Sequence, residues 1–398
     1  MTLKRGLDLG GSDVRVGRTQ HDIAIFDSKC AEIPADAPTK DYLEESSNYS
    51  DFIIRKHPMT GLMGRRFVRD DVINHYNGTP MYCDNQSVKV SQEITYINAA
   101  YALAYSLIKT YDTDVDLLVG ACIPTSEFYS DSDLVTTFKS GLTGDFEVYF
   151  PIVDKTVRFT INDGDIKVVP EGVVAIYQFS KIKSFREGLT LVVDVGKRST
   201  DITVLKKFLP SGRSAVSRTK GGINIEAFVR GEMERDGLLL NNEDVAKLVC
   251  NRYFINNGEL EDVTDIVYQC GNDKDALTMT LQKRYGTCTA EMLDQCLNRY
   301  FTKFGSDVQE VTPYVVKAKK FFAASLKEDI IDVLSRDMQN LSSVNNIVPM
   351  GRPFIGDTSN PNNLVSMLKD ELKCKADFRV VPNLGTANVA EIMAVMGN

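Results

Sequence analysis

The sequence predicts an α/β protein with two related halves, and three observations support this fold class. Segments with the patterns of strands and helices alternate along the chain. An apolar strand followed by Asp-x-Gly, a polar turn and a second strand occurs twice, at Asp8 and at Asp194. The 398 residues are enough for two or three domains, and 43% hydrophobic with 25% charged residues is ordinary for a globular protein.

In the first half, short apolar or β-branched runs predict strands at 3–9, 14–19, 22–33, 117–123, 148–152, 157–161 and 166–169. From about Pro34 to Asn85 the composition shifts toward Asp, Asn, Ser, Tyr and Pro, which predicts a small inserted lobe at about 34–90. Apolar residues at helical spacing from Ile94 to Ile108 predict a long amphipathic helix. A further helix is predicted from about Gly172 to Phe179.

The second half repeats this alternation of strands and helices. Strands are predicted at 189–194, 201–205, 347–355 and 378–381, and helices at 224–235, 315–334 and 387–396. The polar stretch 241–300 has helical character and predicts a second insertion. On the helix at 315–334, the stripe Phe321, Phe322, Leu326 and Ile330 is expected to face the core.

The charge and the cysteine content of the chain disfavour some classes of function. Because 54 acidic residues outnumber 46 basic ones and the net charge is −8, direct binding to nucleic acid or to an anionic membrane is disfavoured. The chain shows neither a signal peptide nor a membrane span, and its eight cysteines form no C-x-x-C pair. We therefore expect a cytoplasmic protein with reduced thiols. The three histidines, His21, His57 and His75, lie away from the motifs described below and are expected at the surface.

The two repeated turns have the chemistry of phosphate-binding loops. Glycines let backbone N–H groups approach phosphate oxygens closely, a turn hydroxyl adds a donor, and the aspartate ending the strand can hold Mg²⁺ through water. The turn residues are Gly10, Gly11 and Ser12 in the first copy, and Gly196, Lys197 and Ser199 in the second. A strand follows each turn, which excludes the Rossmann and Walker-type loops because both need a helix there.

These turns resemble the two phosphate motifs of the superfamily that contains actin, the sugar kinases and the heat-shock chaperone ATPases. Asp8–Ser12 is similar to its first motif, and Asp194–Asp201 is similar to its second. Arg15 stands where actins often carry a lysine that contacts phosphate. The closer resemblance is to the ParM-type bacterial actin-like proteins, which segregate plasmids.

Three further segments carry this closer resemblance. Residues 123–129 are similar to the Pro-x-x-Glu-Phe-Tyr segment of the branch, with Pro124, Glu127, Phe128 and Tyr129 in its fixed positions. Val169-Pro170-Glu171 is similar to the strand end that carries the hydrolytic glutamate. Residues 383–396 are similar to the closing helix that connects the domains. The segments near 34–90 and 233–300 match least.

The resemblance implies an actin-like fold, in which two related α/β domains flank a nucleotide cleft and each carries an inserted subdomain. The first domain would span 1–185, with its lobe at about 34–90. The second would span 186–381, with its lobe at about 233–300. The helix at 382–398 would return to the first domain.

The implied ligands are ATP or ADP with Mg²⁺. Glu171, Asp8 and Asp194 are the implied catalytic residues, and the two aspartates would also hold Mg²⁺ through water. The implied nucleotide-binding residues are Gly10, Gly11, Ser12, Arg15, Gly196, Lys197, Ser199, Asp201, Gly221, Gly222, Asn224, Met350, Gly351 and Arg352.

Several of these assignments have alternatives. Glu171 either orients the attacking water or is an ordinary acid at a helix N-terminus. Gly221–Asn224 either offers backbone donors to the nucleotide or only begins a helix. Lys197 and Arg198 replace the usual glycines of the second motif, so they either contact phosphate or face solvent. The base-binding loop at 349–353 has one glycine where two are usual, which leaves ATP and GTP open.

The resemblance implies an ATPase that forms filaments, hydrolyses ATP to control polymer stability and segregates plasmid DNA. Its partners would be further copies of this chain and an adaptor protein bound to DNA. The alternatives are a sugar kinase of the same superfamily, with Asp201 as a candidate catalytic aspartate, and a scaffold that holds nucleotide without turnover. Arg65, Arg66 and Arg69 form a basic cluster that is either a solvated face or a filament contact.

Overall fold

The computed structural model of the protein describes residues 2–39, 48–70, 72–83, 88–108, 114–130, 132–240, 242–304 and 307–397. The chain divides into two compact units. Unit 1 comprises Met1–Gln178 with Gly385–Asn398, and unit 2 comprises Phe179–Leu384. Both units combine strands and helices, which confirms the predicted α/β class. No helix within the described ranges is long and apolar enough to cross a membrane.

Unit 1 is built on a large mixed sheet. Its described strands are β1 (Thr2–Leu9), β2 (Asp13–Gly17), β3 (Ile23–Asp27), β4 (Cys30–Ile33), β5 (Asp51–Lys56), β6 (Arg65–Arg69), β7 (Pro80–Met81), β8 (Val115–Ile123), β9 (Gly144–Phe150), β10 (Lys155–Ile161) and β11 (Ile166–Pro170). They lie in the order β3-β2-β1-β8-β10-β9-β5-β6-β4-β7, and β11 pairs with β8. The described part of the segment predicted as a lobe extends this sheet, because β5 pairs with β9.

The helices in this part of the chain are α1 (Val72–His75), α2 (Glu93–Ile108), α3 (Thr125–Ser130) and α4 (Ser132–Leu142). Helix α2 packs against β1, β2 and β10. Every residue of α2 except Glu93 and Tyr105 is buried, so the predicted amphipathic helix is instead buried on nearly all sides. Small residues such as Ala99, Ala100 and Ala102 occupy the positions beside the apolar stripe, which explains the difference.

Unit 2 is built on a sheet whose described strands lie in the order β14-β13-β12-β19-β20. The strands of the unit are β12 (Leu189–Val195), β13 (Thr200–Lys206), β14 (Leu209–Arg218), β15 (Tyr253–Asn256), β16 (Glu259–Asp262), β17 (Phe301–Phe304), β18 (Asp307–Glu310), β19 (Asn346–Met350) and β20 (Asp377–Phe378). Strand β12 is antiparallel to β13 and parallel to β19, as β1 is to β2 and β8. The duplicated strand–turn–strand pattern of the sequence is therefore present in both units.

The helices of unit 2 are α5 (Lys183–Glu187), α6 (Gly222–Arg235), α7 (Asn242–Cys250), α8 (Thr264–Cys270), α9 (Lys274–Tyr285), α10 (Ala290–Asn298), α11 (Thr312–Arg336) and α12 (Leu364–Leu372). The last helix, α13 (Leu384–Gly397), belongs to unit 1 from Gly385 onward. The chain segment between α6 and α11 has a hydrophobic cluster of its own, separate from the main core of the unit. Its buried residues include Phe254, Ile266, Leu277 and Leu281. The hairpins β15–β16 and β17–β18 were not predicted, because their strands have only four residues each.

Two further predicted helical features differ from the structure. The helix expected from about Gly172 is a short 3₁₀ helix, Val174–Phe179, because Gly172 has φ +75° and interrupts a helical start. Phe321, expected in the core, is 63% exposed and stacks on Phe228 with ring centroids 5.1 Å apart. Its neighbour Phe322 is buried, and consecutive helical residues point about 100° apart, so one face cannot bury both.

The basic cluster at 65–69 is not a solvated face. Arg66 is buried, and its guanidinium donates to the two oxygens of Asp51 at 2.8 and 2.6 Å. Arg69 is also buried, with its guanidinium 4.3 Å from the ring centroid of Tyr101. The expectation was wrong because the neighbouring strand β5 supplies a carboxylate for Arg66 and α2 supplies an aromatic face for Arg69. Two of the three arginines are therefore inaccessible to another molecule.

His57, expected at the surface, is 3% exposed. Its ring lies edge-on to Phe146 with centroids 4.8 Å apart, and its Nδ1 accepts a hydrogen bond from the N–H of Met59 at 2.9 Å. Burial lowers the pKa of His57 to about 4. The ring is therefore neutral at neutral pH.

We expect this histidine to make the protein acid-sensitive. Because the pKa of His57 is lower in the folded chain than the ordinary value of 6.5, the unfolded chain binds more protons as the pH falls below 6.5. The free energy of unfolding should fall by about 2–3 kcal/mol between pH 7.5 and pH 4.5 through this group. In urea titrations, His57→Asn should lose this part of the pH dependence, since it keeps an acceptor for Met59 but does not titrate. The exposed control His21→Asn should retain it; an equal fall in His57→Asn and wild type would contradict the prediction.

Candidate functional site

The residues predicted as a site in unit 1 lie at one edge of its sheet. Asp8, Cys122 and Val169 lie side by side across three parallel strands, β1, β8 and β11. The Gly10–Ser12 turn follows β1, and Glu171 follows β11, so both leave the sheet at the carboxyl ends of these strands. This edge is where ligands bind in many α/β sheets.

Asp8 is a buried carboxylate whose hydrogen bonding is incomplete. Its Oδ2 accepts from Nδ2 of Asn388 at 3.2 Å, and its Oδ1 is buried without a hydrogen-bond partner among the described residues. Its register partner on β2, Arg15, is also buried and forms an ion pair with Asp13 at 3.1 Å. A buried carboxylate oxygen is costly unless a donor or cation satisfies it. Asp8 therefore fits a cation held through water.

The Gly10–Ser12 turn is fixed through its carbonyl groups. The N–H of Ser28 donates to Ser12 O at 2.9 Å, and its Oγ donates to Gly11 O at 2.8 Å. Within the described residues, no acceptor is bound to the N–H groups of Gly11 and Ser12. Free backbone donors on a glycine turn beside a buried aspartate fit the phosphate group of a nucleotide.

Glu171 is anchored through its backbone on both sides. Its N–H donates to Ile123 O at 2.8 Å, and its carbonyl accepts from Oγ1 of Thr125. Its half-buried carboxylate forms an ion pair with Nζ of Lys89, 3.5 Å from Oε2. No α-helix begins at Glu171, so the alternative of an acid at a helix N-terminus loses its structural basis.

Two further side chains, Asn388 and Lys89, contact Asp8 or Glu171, although the sequence did not predict them as site residues. Asn388 is buried on α13 and links Asp8 to the residue after Glu171, because its Oδ1 accepts from the N–H of Gly172 at 3.3 Å. A signal existed for Asn388, since it is a polar residue within an apolar helix. The sequence gives no such signal for Lys89, because its partner Glu171 is distant along the chain.

The charges at this edge affect one another. Burial acts to lower the pKa of Lys89, but the carboxylates of Glu171 and Asp8 outweigh it, and the pKa is raised above its ordinary value. Burial raises the pKa of Cys122, and the carboxylates of Asp8 and Glu171 raise it further. The thiol therefore stays protonated and is not a nucleophile.

In unit 2 the structure gathers a second set of predicted residues. Asp194 and Asp201 lie directly opposite each other in β12 and β13, so their side chains share a face, and Met350 flanks Asp194 on β19. Adjacent carboxylates suit Mg²⁺, which keeps several water ligands. Within the ranges that the structure describes, no group of three or more His, Cys, Asp or Glu side chains could hold a metal ion. Phosphate and water would have to complete its coordination.

The second turn is tied to the start of α6. The N–H of Gly222 donates to Gly196 O at 3.0 Å, and that of Ile223 donates to Lys197 O at 2.7 Å. A Cβ at Gly221 would lie 2.7 Å from Gly196 O, so only glycine permits this approach. These bonds favour the interpretation of Gly221–Asn224 as the beginning of a helix that supports the turn. Lys197 is exposed, and Arg198 and Ser199 are half-buried.

The predicted base-binding loop follows β19. The strand expected over 347–355 ends at Met350, because Gly351 has φ +103° and a Cβ there would overlap the carbonyl oxygen of Val195. Arg352 places its guanidinium 4.9 Å from the ring centroid of Tyr268 on α8. The loop thus lies beside the strand that carries Asp194. The ligands of all these residues stay predictions.

Comparison with solved structures identifies the fold. The actin-like protein Alp7A matches with a TM-score of 0.69 at 13% identity, covering 99% of this chain and 96% of that chain. ParM of Bacillus thuringiensis, solved with ATP, matches with a TM-score of 0.63 at 12% identity, covering 99% and 98%. A 15-stranded ParM filament from Clostridium botulinum matches with a TM-score of 0.63 at 15% identity, covering 99% of both chains.

No protein-family model matches the chain, and no curated protein matches it in sequence. The structural matches nevertheless span nearly the whole chain, and they agree with the resemblance stated from the motifs. The chain therefore has the actin-like fold shared by the ParM proteins and Alp7A.

Proposed function

We propose that this chain is a cytoplasmic ATPase that assembles into filaments, and that ATP hydrolysis controls the stability of the polymer. The observation that carries the proposal is the edge of the unit 1 sheet. There, a buried aspartate with an unsatisfied oxygen lies next to a glycine turn with free N–H donors and on the same edge as Glu171.

In this proposal the two turns bind the phosphates of ATP through backbone N–H groups and the hydroxyls of Ser12 and Ser199. Asp8 and Asp194 hold water ligands of Mg²⁺, which when bound neutralises charge on the phosphate oxygens. Glu171 accepts a hydrogen bond from the attacking water and orients it toward the γ-phosphate. The chemistry needs no covalent intermediate, because positioning and charge stabilisation supply most of the catalysis in phosphoryl transfer.

Fold likeness supports the assembly part of the proposal. One structure of similar fold is a ParM filament, and another is a ParM solved with ATP. A filament requires a heterologous contact that does not close into a ring. We propose that the polymer segregates plasmid DNA through an adaptor protein, because the net charge of −8 gives the chain itself little attraction for DNA.

Sedimentation with ATP, with ADP and without nucleotide tests this proposal. We expect a pellet that depends on ATP and Mg²⁺, together with continuous phosphate release. In Asp194→Ala, loss of a charge-assisted contact should weaken Mg²⁺-ATP binding about ten- to a hundredfold and reduce the pellet accordingly. The exposed control Asp163→Ala should sediment like wild type.

Three outcomes would contradict the proposal in different ways. A wild-type chain that stays in the supernatant with every nucleotide would exclude the filament. Phosphate transfer to a sugar, without release in its absence, would indicate the kinase alternative. Nucleotide-dependent pelleting without any phosphate release would indicate the scaffold.

A further inference from the structure

The ion pair between Lys89 and Glu171 is shielded from solvent on both sides. The two side chains are only 13% and 18% exposed, and the distance from Nζ to Oε2 is 3.5 Å. A pair in this position pays a desolvation cost that limits its contribution to stability. The pair can instead fix the orientation of the Glu171 carboxylate.

One short helix, α3, holds both members of the pair. The carboxylate of Glu127 accepts hydrogen bonds from the N–H groups of Lys89 and Val90, at 2.7 and 3.1 Å. Two residues earlier, Oγ1 of Thr125 donates to the backbone carbonyl of Glu171. The segment 124–129, which resembles the Pro-x-x-Glu-Phe-Tyr motif, thus positions the lysine and the glutamate relative to each other.

The surroundings give this lysine a particular electrostatic role. The titratable groups that affect Lys89 are Glu171, Asp8, Cys83 and Cys122. The carboxylates that act on the charge of the Lys89 ammonium are therefore those of Glu171 and Asp8. Without Lys89, the carboxylate of Glu171 would lose this ion pair.

We infer that Lys89 is a positioning residue for Glu171, and that Glu127 acts on the reaction through Lys89. The ammonium holds the carboxylate in one orientation, from which it can accept a hydrogen bond from the attacking water. Glu127 fixes the backbone from which the ammonium extends. This inference rests on the proposed ATPase function.

The activity test separates turnover from binding. In Lys89→Met, kcat for phosphate release should fall about 10- to 100-fold, because misplacing a catalytic group by about 1 Å can cost that much. The KM for ATP should change little, since the phosphate contacts lie on the turns. Lys89→Arg keeps a cation and should recover most of the lost kcat. Lys139→Met, at an exposed lysine of α4, is the matched control and should behave like wild type.

The role of Glu127 is tested by combining variants. Glu127→Ala should lower kcat, and the double variant Glu127→Ala/Lys89→Met should be no slower than Lys89→Met alone, because both changes remove the same positioning. Independent, multiplying losses would overturn the claim that Glu127 acts through Lys89. Unchanged ATP affinity in each variant shows that the protein is folded.

A second measurement needs neither nucleotide nor turnover. Competitive acetylation followed by mass spectrometry reports the reactivity of the Lys89 amine in the nucleotide-free protein. In Glu171→Gln the amine should react about tenfold faster, the factor that corresponds to 1.4 kcal/mol of lost interaction. Labelling of Lys139 should stay the same.

The outcomes distinguish this inference from the proposed function. A wild-type chain that releases no phosphate overturns the proposed function and with it the positioning role. An active wild type with unchanged kcat in Lys89→Met, or with unchanged Lys89 labelling in Glu171→Gln, overturns this inference alone. A loss of kcat that Lys89→Arg does not recover also overturns it, because a charge at this position would then not be what matters.

Discussion

Replacing Glu171 by glutamine should slow phosphate release about 10²–10⁴-fold, the range expected when a positioned proton-accepting group is lost. Glutamine has the same shape as glutamate but cannot act as a base. The backbone bonds that anchor residue 171, to Ile123 and Thr125, do not involve the side chain and should persist. The expected change therefore concerns the chemical step, equivalent to roughly 3–5 kcal/mol of activation free energy.

The binding of ATP should change little in the same variant. The proposed phosphate donors are backbone groups of the turns, and Asp8 is held independently by Asn388. Single-turnover phosphate release gives the rate, and titration with Mg²⁺-ATP gives the affinity. Glu187→Gln, at a glutamate paired with Lys183 on the surface, serves as control. A rate within threefold of wild type would show that hydrolysis does not need the carboxylate of Glu171 as a base.

Part of this site could be predicted because its signals are local in sequence. An aspartate at the end of an apolar strand, followed by glycine and a second strand, is visible in a few residues. Its recurrence at Asp8 and Asp194 predicted the same arrangement of strands in both units, and β1–β2 and β12–β13 have it. The fold class needed only this repeat and the alternation of strands and helices.

The features that the sequence did not predict depend on contacts between segments that are distant along the chain. Arg66 forms its ion pair with Asp51 on the adjacent strand, and Glu171, the partner of Lys89, follows β11, which pairs with β8. A single sequence shows a basic cluster and an isolated lysine, but it does not show which residues they contact. His57 is similar, since a histidine in a polar stretch gives no sign of the aromatic ring of Phe146 that covers it.

The backbone conformation of glycine was the other source of error. A helix was predicted from Gly172 and a strand through Gly351, yet both glycines have positive φ, at +75° and +103°. Glycine adopts such angles without strain, but its presence in a sequence does not reveal that it does so. Glu171 therefore lies in a turn after β11, and Met350 is the last residue of β19.

Filaments of Glu171→Gln should outlast wild-type filaments by about the factor by which hydrolysis slows, roughly 10²–10⁴, if no other process disassembles them first. The proposed link is the γ-phosphate, whose contacts with the turns are lost on hydrolysis. A ligand shifts such an equilibrium only by its differential affinity for the two states, and about 5.5 kcal/mol would be needed for a nearly complete switch. We therefore expect ADP to raise the critical concentration for assembly rather than to abolish it.

Light scattering after a single addition of ATP measures this lifetime. Wild-type signal should rise and then decay as ATP is consumed, while the signal of Glu171→Gln should persist on the same time axis. Lys89→Met should fall between the two, because its proposed loss of turnover is smaller, and Glu187→Gln should match wild type. Phosphate release must be recorded in the same samples. Equal decay of wild type and Glu171→Gln, with hydrolysis confirmed to be lost in the variant, would show that the nucleotide state does not set filament lifetime in this protein.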